Sequence, residues 1–503
     1  MNQQIDERKL FNVLLMFGGA LFSLVVVYFV VSAQGNVVAN AYKFFLPLGF
    51  LFGLCLPKPA FYVLLLCTGY IDLLKRFMVF DLQMQLEDLY YILGIPPAIC
   101  LGIAVHVVSS FLLQWRKLDQ REGRLLVIGM SFCLALGAFA LVYRSGAQNI
   151  VQSTVYPTMI FTLPIFFPKR EDILRLCRYI ILIFIPVALY AMKQAIFGLS
   201  DFELKYTLSG MTTVTSAVFD QAVRPFSTMA SEGQLSLTMS FVALLVFMIP
   251  LIMYQERKAN AVIMTVCVLL FLLFAAAGLL SLKRLPVLIW VVGIIGCFVF
   301  SSKAKTFGFY FMTGVLLLVI IFSGRQLMYM AEEQRISADF DSTTANMLLR
   351  TGTFNSRLNA FEILVDPTSY SIAGVPFHER SEKQRKIHTH FAYMLLNYGA
   401  PAFFIAGGLL FYGLIYLHQK SWNAPRGKWK AMYLLFSSCL LAQLVTTGMG
   451  SLAMSGFPSF FYLMFCLAVL LTLLIKDPWT DDLKVEERKA DPYDLDARRP
   501  VLH

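Results

Sequence analysis

Three arginines and a pair of histidines stand where a very apolar chain turns polar. Arg224 lies in AVRPFSTMASEGQ, just ahead of an apolar run, and Lys283-Arg284 separates two apolar runs in LLSLKRLPVL. Arg357 opens a short amphipathic segment in NSRLNAFEILVDP, and His388 and His390 straddle Thr389 where a polar stretch meets a new apolar run. A guanidinium presents a planar fork of donors that suits a phosphate or diphosphate. Histidine titrates near neutrality and is the commonest general base. Glu232 follows Arg224 by eight residues, also at a boundary, placed to orient a hydroxyl or to pair with an arginine. Each residue has a plainer role open to it. Boundary cations snorkel to headgroups, Arg357 can be a solvated surface cation, both histidines can bond to headgroups, and Glu232 can be half of a structural ion pair. Lys75-Arg76 invites the same functional argument with less behind it. An HxH pair can also ligate a metal, but no third ligand stands at suggestive spacing. No Walker A motif is present. No metal and no cofactor are therefore expected.

The elements that must hold these residues are apolar runs. Of the 503 residues, 58% are hydrophobic and 15% charged, whereas soluble domains sit nearer half and a quarter. Runs of roughly 20 apolar residues recur along the chain, each long enough to cross a bilayer as a helix. The expected fold is all-α, a polytopic integral membrane protein of about 14 transmembrane helices. The segments run Leu10–Ala33, Tyr42–Leu56, Pro59–Leu74, Leu89–Leu113, Leu125–Tyr143, Ile150–Phe167, Leu174–Phe197, Gln234–Tyr254, Ala261–Leu280, Leu285–Phe300, Phe307–Phe322, Phe391–His418, Ala431–Gly448 and Phe457–Ile475. The second and third fall near the minimum spanning length. Leu10–Ala33 follows a charged start and is too long for a signal-peptide core, so it reads as a retained first helix.

The formal charge of +11 superficially resembles a nucleic-acid binder. The cations instead fall in short clusters between apolar runs, as the positive-inside rule requires, and nucleic acid is excluded. With the N-terminus inside, Lys58, Arg116 to Arg124, Lys169-Arg170, Arg257-Lys258, Lys303, Lys305, Lys420 to Lys430 and the tail 476–503 all fall on the cytoplasmic side. Two long polar stretches then face outward, Leu199–Glu232 and Arg325–Thr389, on the periplasmic side of a bacterial inner membrane. The chain divides into an N-terminal bundle (1–323), a loop domain (324–389), C-terminal helices (390–475) and a cytoplasmic tail (476–503). In the loop domain, Asn355-Ser356 caps a helix with Leu358, Phe361 and Val365 on one face, ended by Asp366-Pro367. Loops of that length are usually functional. All nine cysteines lie in or beside apolar runs, with no CxxC, and read as core residues.

Taken in order, these motifs resemble the O-antigen ligase / O-antigen polymerase superfamily. Arg224-Pro-Phe-Ser-Thr-Met is similar to the family's first arginine motif, and Ser281-Leu-Lys-Arg284 to its second. Arg357 with Phe361 resembles the third, and Gly374-Val375-Pro376 the turn that follows it. His388-Thr389, with Gly399 eleven residues after the histidine, matches the family's His-Asn pair and favours His388 over His390. The chain departs from the pattern at Thr389, where Asn is usual, at Lys283, where Ser is common, and at Pro376, where Gly is common.

The resemblance implies a C-type, metal-independent membrane glycosyltransferase whose donor is a glycan on undecaprenyl diphosphate. Arg224, Arg284 and Arg357, with Lys283, would bind the diphosphate. His388, with His390 as the alternative, would accept the proton of the attacking hydroxyl, and Glu232 would assist. The partners implied are the lipid-linked oligosaccharide donor, a glycan acceptor and the lipid bilayer, with a chain-length regulator or a flippase as protein partners. The leading expectation is a polymerase of O-antigen or exopolysaccharide repeat units. The alternatives are a ligase that moves finished glycan to lipid A–core, and, from another class, a flippase or transporter of lipid-linked sugars. Transporters usually carry their ionisable residues near the bilayer midplane, whereas these cations gather at one boundary.

Overall fold

A computed structural model of the chain describes residues 41–113, 120–142, 151, 154–209, 218–219, 222–255, 260–281, 285–301, 375, 390–424, 428–449 and 457–475. The expected segments Leu10–Ala33 and Phe307–Phe322, the loop helix after Asn355 and the tail lie outside those residues, as do Lys283, Arg284, Arg357 and His388.

The described residues form an all-helical bundle. In chain order the helices are α1 (Phe45–Cys55), α2 (Pro57–Phe80), α3 (Leu89–Leu93), α4 (Ile95–Leu112), α5 (Gln120–Val142), α6 (Met159–Phe166) and α7 (Arg170–Phe197). They continue as α8 (Asp201–Leu208), α9 (Glu232–Val246), α10 (Met248–Gln255), α11 (Ala261–Leu280), α12 (Leu285–Ser301), α13 (His390–Asn423), α14 (Lys428–Met449) and α15 (Ser459–Ile475). A two-residue hairpin, Val218–Phe219 against Ala222–Val223, sits in the loop before α9.

Among the described residues, five stretches are long and apolar enough to cross a membrane: Leu86–Leu112, Arg170–Phe197, Glu232–Tyr254, Ala261–Leu280 and Trp429–Thr446. The stretches Tyr42–Cys55, Tyr156–Phe166, Pro286–Ser301 and Ser459–Leu474 are apolar but shorter. α11 keeps Val262, Val266, Leu269 and Leu272 exposed, a face that suits lipid better than water.

α9 is deeply enclosed. Every residue from Leu235 to Val246 is buried, with α7, α11, α12, α14 and α15 around it. α1 and α4 cross backbone to backbone. A Cβ on Gly53 would stand 2.3 Å from the Ile99 carbonyl oxygen, and one on Gly102 would stand 2.1 Å from that of Phe50. Only glycine permits that approach.

Several boundaries differ from the sequence reading. α2 continues through Lys75-Arg76 to Phe80, so this cation pair belongs to a helix rather than to a connecting loop. Within the expected helix at Ile150–Phe167, Val151, Thr154 and Val155 are helical and a 3₁₀ turn at Tyr156–Thr158 leads into α6. The expected Gln234–Tyr254 segment carries one turn residue, Phe247, between α9 and α10 and otherwise remains a single apolar stretch.

Candidate functional site

The loop from Arg224 to Ser231 is built around a buried cation on α2. Arg76 is fully buried. Its Nη1 donates to the Ser227 carbonyl oxygen at 2.7 Å, and its Nη2 donates to that of Met229. The guanidinium also lies between two rings, 4.4 Å from the centre of Tyr206 and 4.7 Å from that of Phe226. Beside it Lys75 pairs with Asp72 at 3.1 Å and donates to the Tyr206 hydroxyl at 3.2 Å. A guanidinium can bridge two carbonyls and stack on aromatics at once, which an ammonium cannot. Buried charges persist only when paired and hydrogen-bonded, and this one is spent on fixing backbone.

α7 supplies the other half of the clamp. Gln194 Oε1 accepts from the backbone N–H of Phe226 at 3.0 Å and of Ser227 at 2.7 Å. Its Nε2 donates to Glu203 Oε1 at 2.6 Å. Glu203 closes a capping box with Ser200 at the start of α8. Burial pushes the Glu203 carboxyl up, but hydrogen bonds from Tyr190, Gln194 and Ser200 outweigh it and hold the group below the usual glutamate range. The Ser227 hydroxyl donates to the Val187 carbonyl and the Thr228 hydroxyl to that of Gly69, both at 2.6 Å. Ser227 itself sits at φ +52°. A non-glycine residue holds that conformation only where its surroundings over-determine it.

The loop delivers two sequence-predicted residues. Arg224 is 8% exposed and Glu232 2% exposed. Glu232 is the first residue of α9, whose N-cap Ser231 accepts from the Gln234 N–H. An acid there is favoured by the helix dipole. Gln234 Nε2 then reaches the Phe457 carbonyl oxygen at 3.1 Å. The ends of α2 and α7 and the starts of α9 and α15 thus gather around one loop.

The other motifs are described only at their edges. His390 is the first residue of α13. Inside that helix Gly399 has φ 79° and ψ 171°, a region reserved for glycine. The kink it makes interrupts the helical ladder, and the Leu396 carbonyl oxygen accepts from the Val375 N–H at 2.6 Å. The backbone at Val375 is thereby fastened to the helix that His390 opens. Before Lys283-Arg284, Ser281 is buried and donates to the Gly278 carbonyl oxygen. Gly278 lies against Met239 of α9 and Pro286 of α12, so the end of α11 packs on α9 two turns in from Glu232, beside the start of α12. Arg284, Lys283, Arg357 and His388 themselves lie outside the described residues.

Sequence reasoning missed the clamp. Asp72, Lys75 and Arg76 at i, i+3 and i+4 carried a readable signal, lost because the helix was ended at Leu74. Gln194, Glu203 and Tyr206 carried none, since their partners are distant in sequence.

No family model, curated protein or solved structure matches this chain.

Proposed function

We propose that the protein is a membrane glycosyltransferase that polymerises undecaprenyl-diphosphate-linked repeat units into O-antigen or exopolysaccharide at the periplasmic face of the inner membrane. The observation that carries the reading is Arg224, a buried guanidinium on a loop whose backbone is fixed by Arg76 and Gln194. Electrostatic stabilisation is strongest when donors are fixed before charge develops and water is kept away, and this loop has both properties. The topology the reading requires is about 14 spans with both termini cytoplasmic, which puts the loop outside.

In the reaction, the acceptor hydroxyl oxygen attacks the anomeric carbon of the donor as the bond from that carbon to the diphosphate oxygen breaks. The diphosphate departs with the bonding pair. Arg224, Arg284 and Arg357, with Lys283, neutralise its charge, and the arginines fill the role a metal ion has elsewhere. His388, with His390 as the alternative, takes the hydroxyl proton. Glu232 orients the acceptor. A ligase would use the same chemistry with lipid A–core as acceptor.

The test uses the purified full chain with synthetic undecaprenyl-diphosphate repeat unit and a chelator, read on a gel. A ladder of polymer is expected. A chain that binds the lipid but yields no ladder, and instead transfers glycan to lipid A–core, is a ligase. One that carries the lipid across vesicles without making any new glycosidic bond is a transporter.

A further inference from the structure

Beneath the loop, between α9, α12, α14 and α15, lies a small cavity of a different chemical character. Its size is about 20 Å³, counted as the space open to the centre of a water-sized sphere. One ordered water needs about 10–15 Å³ on that measure. Phe241, Leu244 and Tyr462 form part of its wall, and Thr238, Gln443 and Ser459 also line it. From these last three, Thr238 Oγ1, Gln443 Oε1 and Ser459 Oγ are buried and, among the described residues, meet no hydrogen-bond partner. Thr238 is 2% exposed. The Gln443 amide nitrogen is turned the other way, 3.9 Å from the Cys466 sulfur.

Three orphaned polar atoms on one cavity call for a common partner. A buried hydroxyl or amide without one is costly, and a bilayer offers no water from outside the bundle to relieve it. The two hydroxyls can donate or accept, whereas Gln443 Oε1 only accepts. The partner must therefore donate at least one hydrogen bond and be able to accept another. Among the described residues, no ionisable carboxylate, amine or guanidinium lines the cavity, so a phosphate or a cation would be stranded there. We propose that the cavity is a binding site for one neutral hydroxyl, either an ordered water or a hydroxyl of a sugar, held by Thr238, Gln443 and Ser459. The site does not depend on the glycosyltransferase reading. Thr238 is six residues into α9 from Glu232, roughly 9 Å at 1.5 Å per residue, so the neutral site sits directly inward of the charged loop.

The sign of a stability change decides the matter. Thr238→Val keeps the shape and removes the hydroxyl, and Ser459→Ala does the same at the facing wall. With a guest bound, both variants lower the melting temperature of the purified full chain, because the guest loses a partner. With the cavity dry, both raise it, because an orphaned group disappears. Radiolytic footprinting of the unaltered chain in ¹⁸O water is the second measurement and stands even where a variant fails to fold. Label on Phe241 or Tyr462, with no stabilisation by methyl β-glucoside, identifies the guest as water. Stabilisation by methyl β-glucoside that Thr238→Val abolishes identifies a sugar hydroxyl. A raised melting temperature in both variants, with label absent from Phe241 and Tyr462, overturns the proposal.

Discussion

Replacing Arg76 tests whether the loop before α9 is held by a fork of donors or merely by a positive charge. Arg76→Lys keeps the charge beside Asp72, but an ammonium at the end of a shorter stem cannot reach both the Ser227 and Met229 carbonyls and stack between Tyr206 and Phe226. Leaving one buried carbonyl orphaned costs about 1–3 kcal/mol, and the lost ring contacts add about 0.5–2 kcal/mol. The expected destabilisation is about 1.5–5 kcal/mol by those two terms. Arg76→Met orphans both carbonyls but also removes the cost of burying a charge, so it falls in the same range. Equilibrium unfolding in mixed micelles measures the loss. Hydrogen exchange gives the local readout. The amides of Phe226 and Ser227, bonded to Gln194 Oε1, should exchange faster than helix amides of α14, far from the change. If Arg76→Lys matches the parent in both stability and exchange, the fork plays no part and the clamp argument fails.

Three further outcomes follow from the same geometry. Gly102→Ala should separate α1 from α4, since its Cβ would stand 2.1 Å from the Phe50 carbonyl oxygen; a loss of about 1–3 kcal/mol or more is expected from overpacking, whereas Gly408→Ala, with open space around it, should be neutral in the same unfolding assay. Glu203 is held below the usual glutamate range, so its contribution is present in full above the unfolded value of about 4.3 and is lost as pH falls through the lower folded value; the stability gap between parent and Glu203→Gln should be widest near neutrality and close on acidification below about pH 4. On the proposed function, Arg224→Lys should cut polymer formation by about 10²–10³-fold, the scale of losing one fixed donor to developing charge, with lipid binding retained; full-length ladders from that variant would remove Arg224 from the site.

Much of the fold was legible because apolar length is a local property. Ala261–Leu280 emerges with the ends the sequence indicated, since the Asn260 side chain caps it at one end and Lys283-Arg284 follows the other. Pro59–Leu74 failed at its far end for an instructive reason. Ending a membrane helix at the first cation is sound when the cation faces lipid or water. Here Asp72 and the Ser227 and Met229 carbonyls receive Lys75 and Arg76 inside the protein, and no window of hydropathy can see partners some 150 residues away.

The same limit explains what was and was not legible in the site. Arg224 and Glu232 drew notice because each stands alone at a boundary, where charge is unexpected. Of the residues that fix their loop, Arg76 was noted only as half of a boundary pair and Gln194 was not found, because a buried glutamine on a long apolar helix looks like any other polar interruption until the backbone amides it accepts from are in place. Gln194 shows the cost of that blindness. Gln194→Leu would raise the local hydropathy and improve the apparent membrane segment, yet it would strand the Phe226 and Ser227 N–H groups and free Ser227 from its left-handed conformation. In this bundle the polar residues buried near helix ends are therefore the first places to look for function, and apolar periodicity is the wrong instrument for finding them.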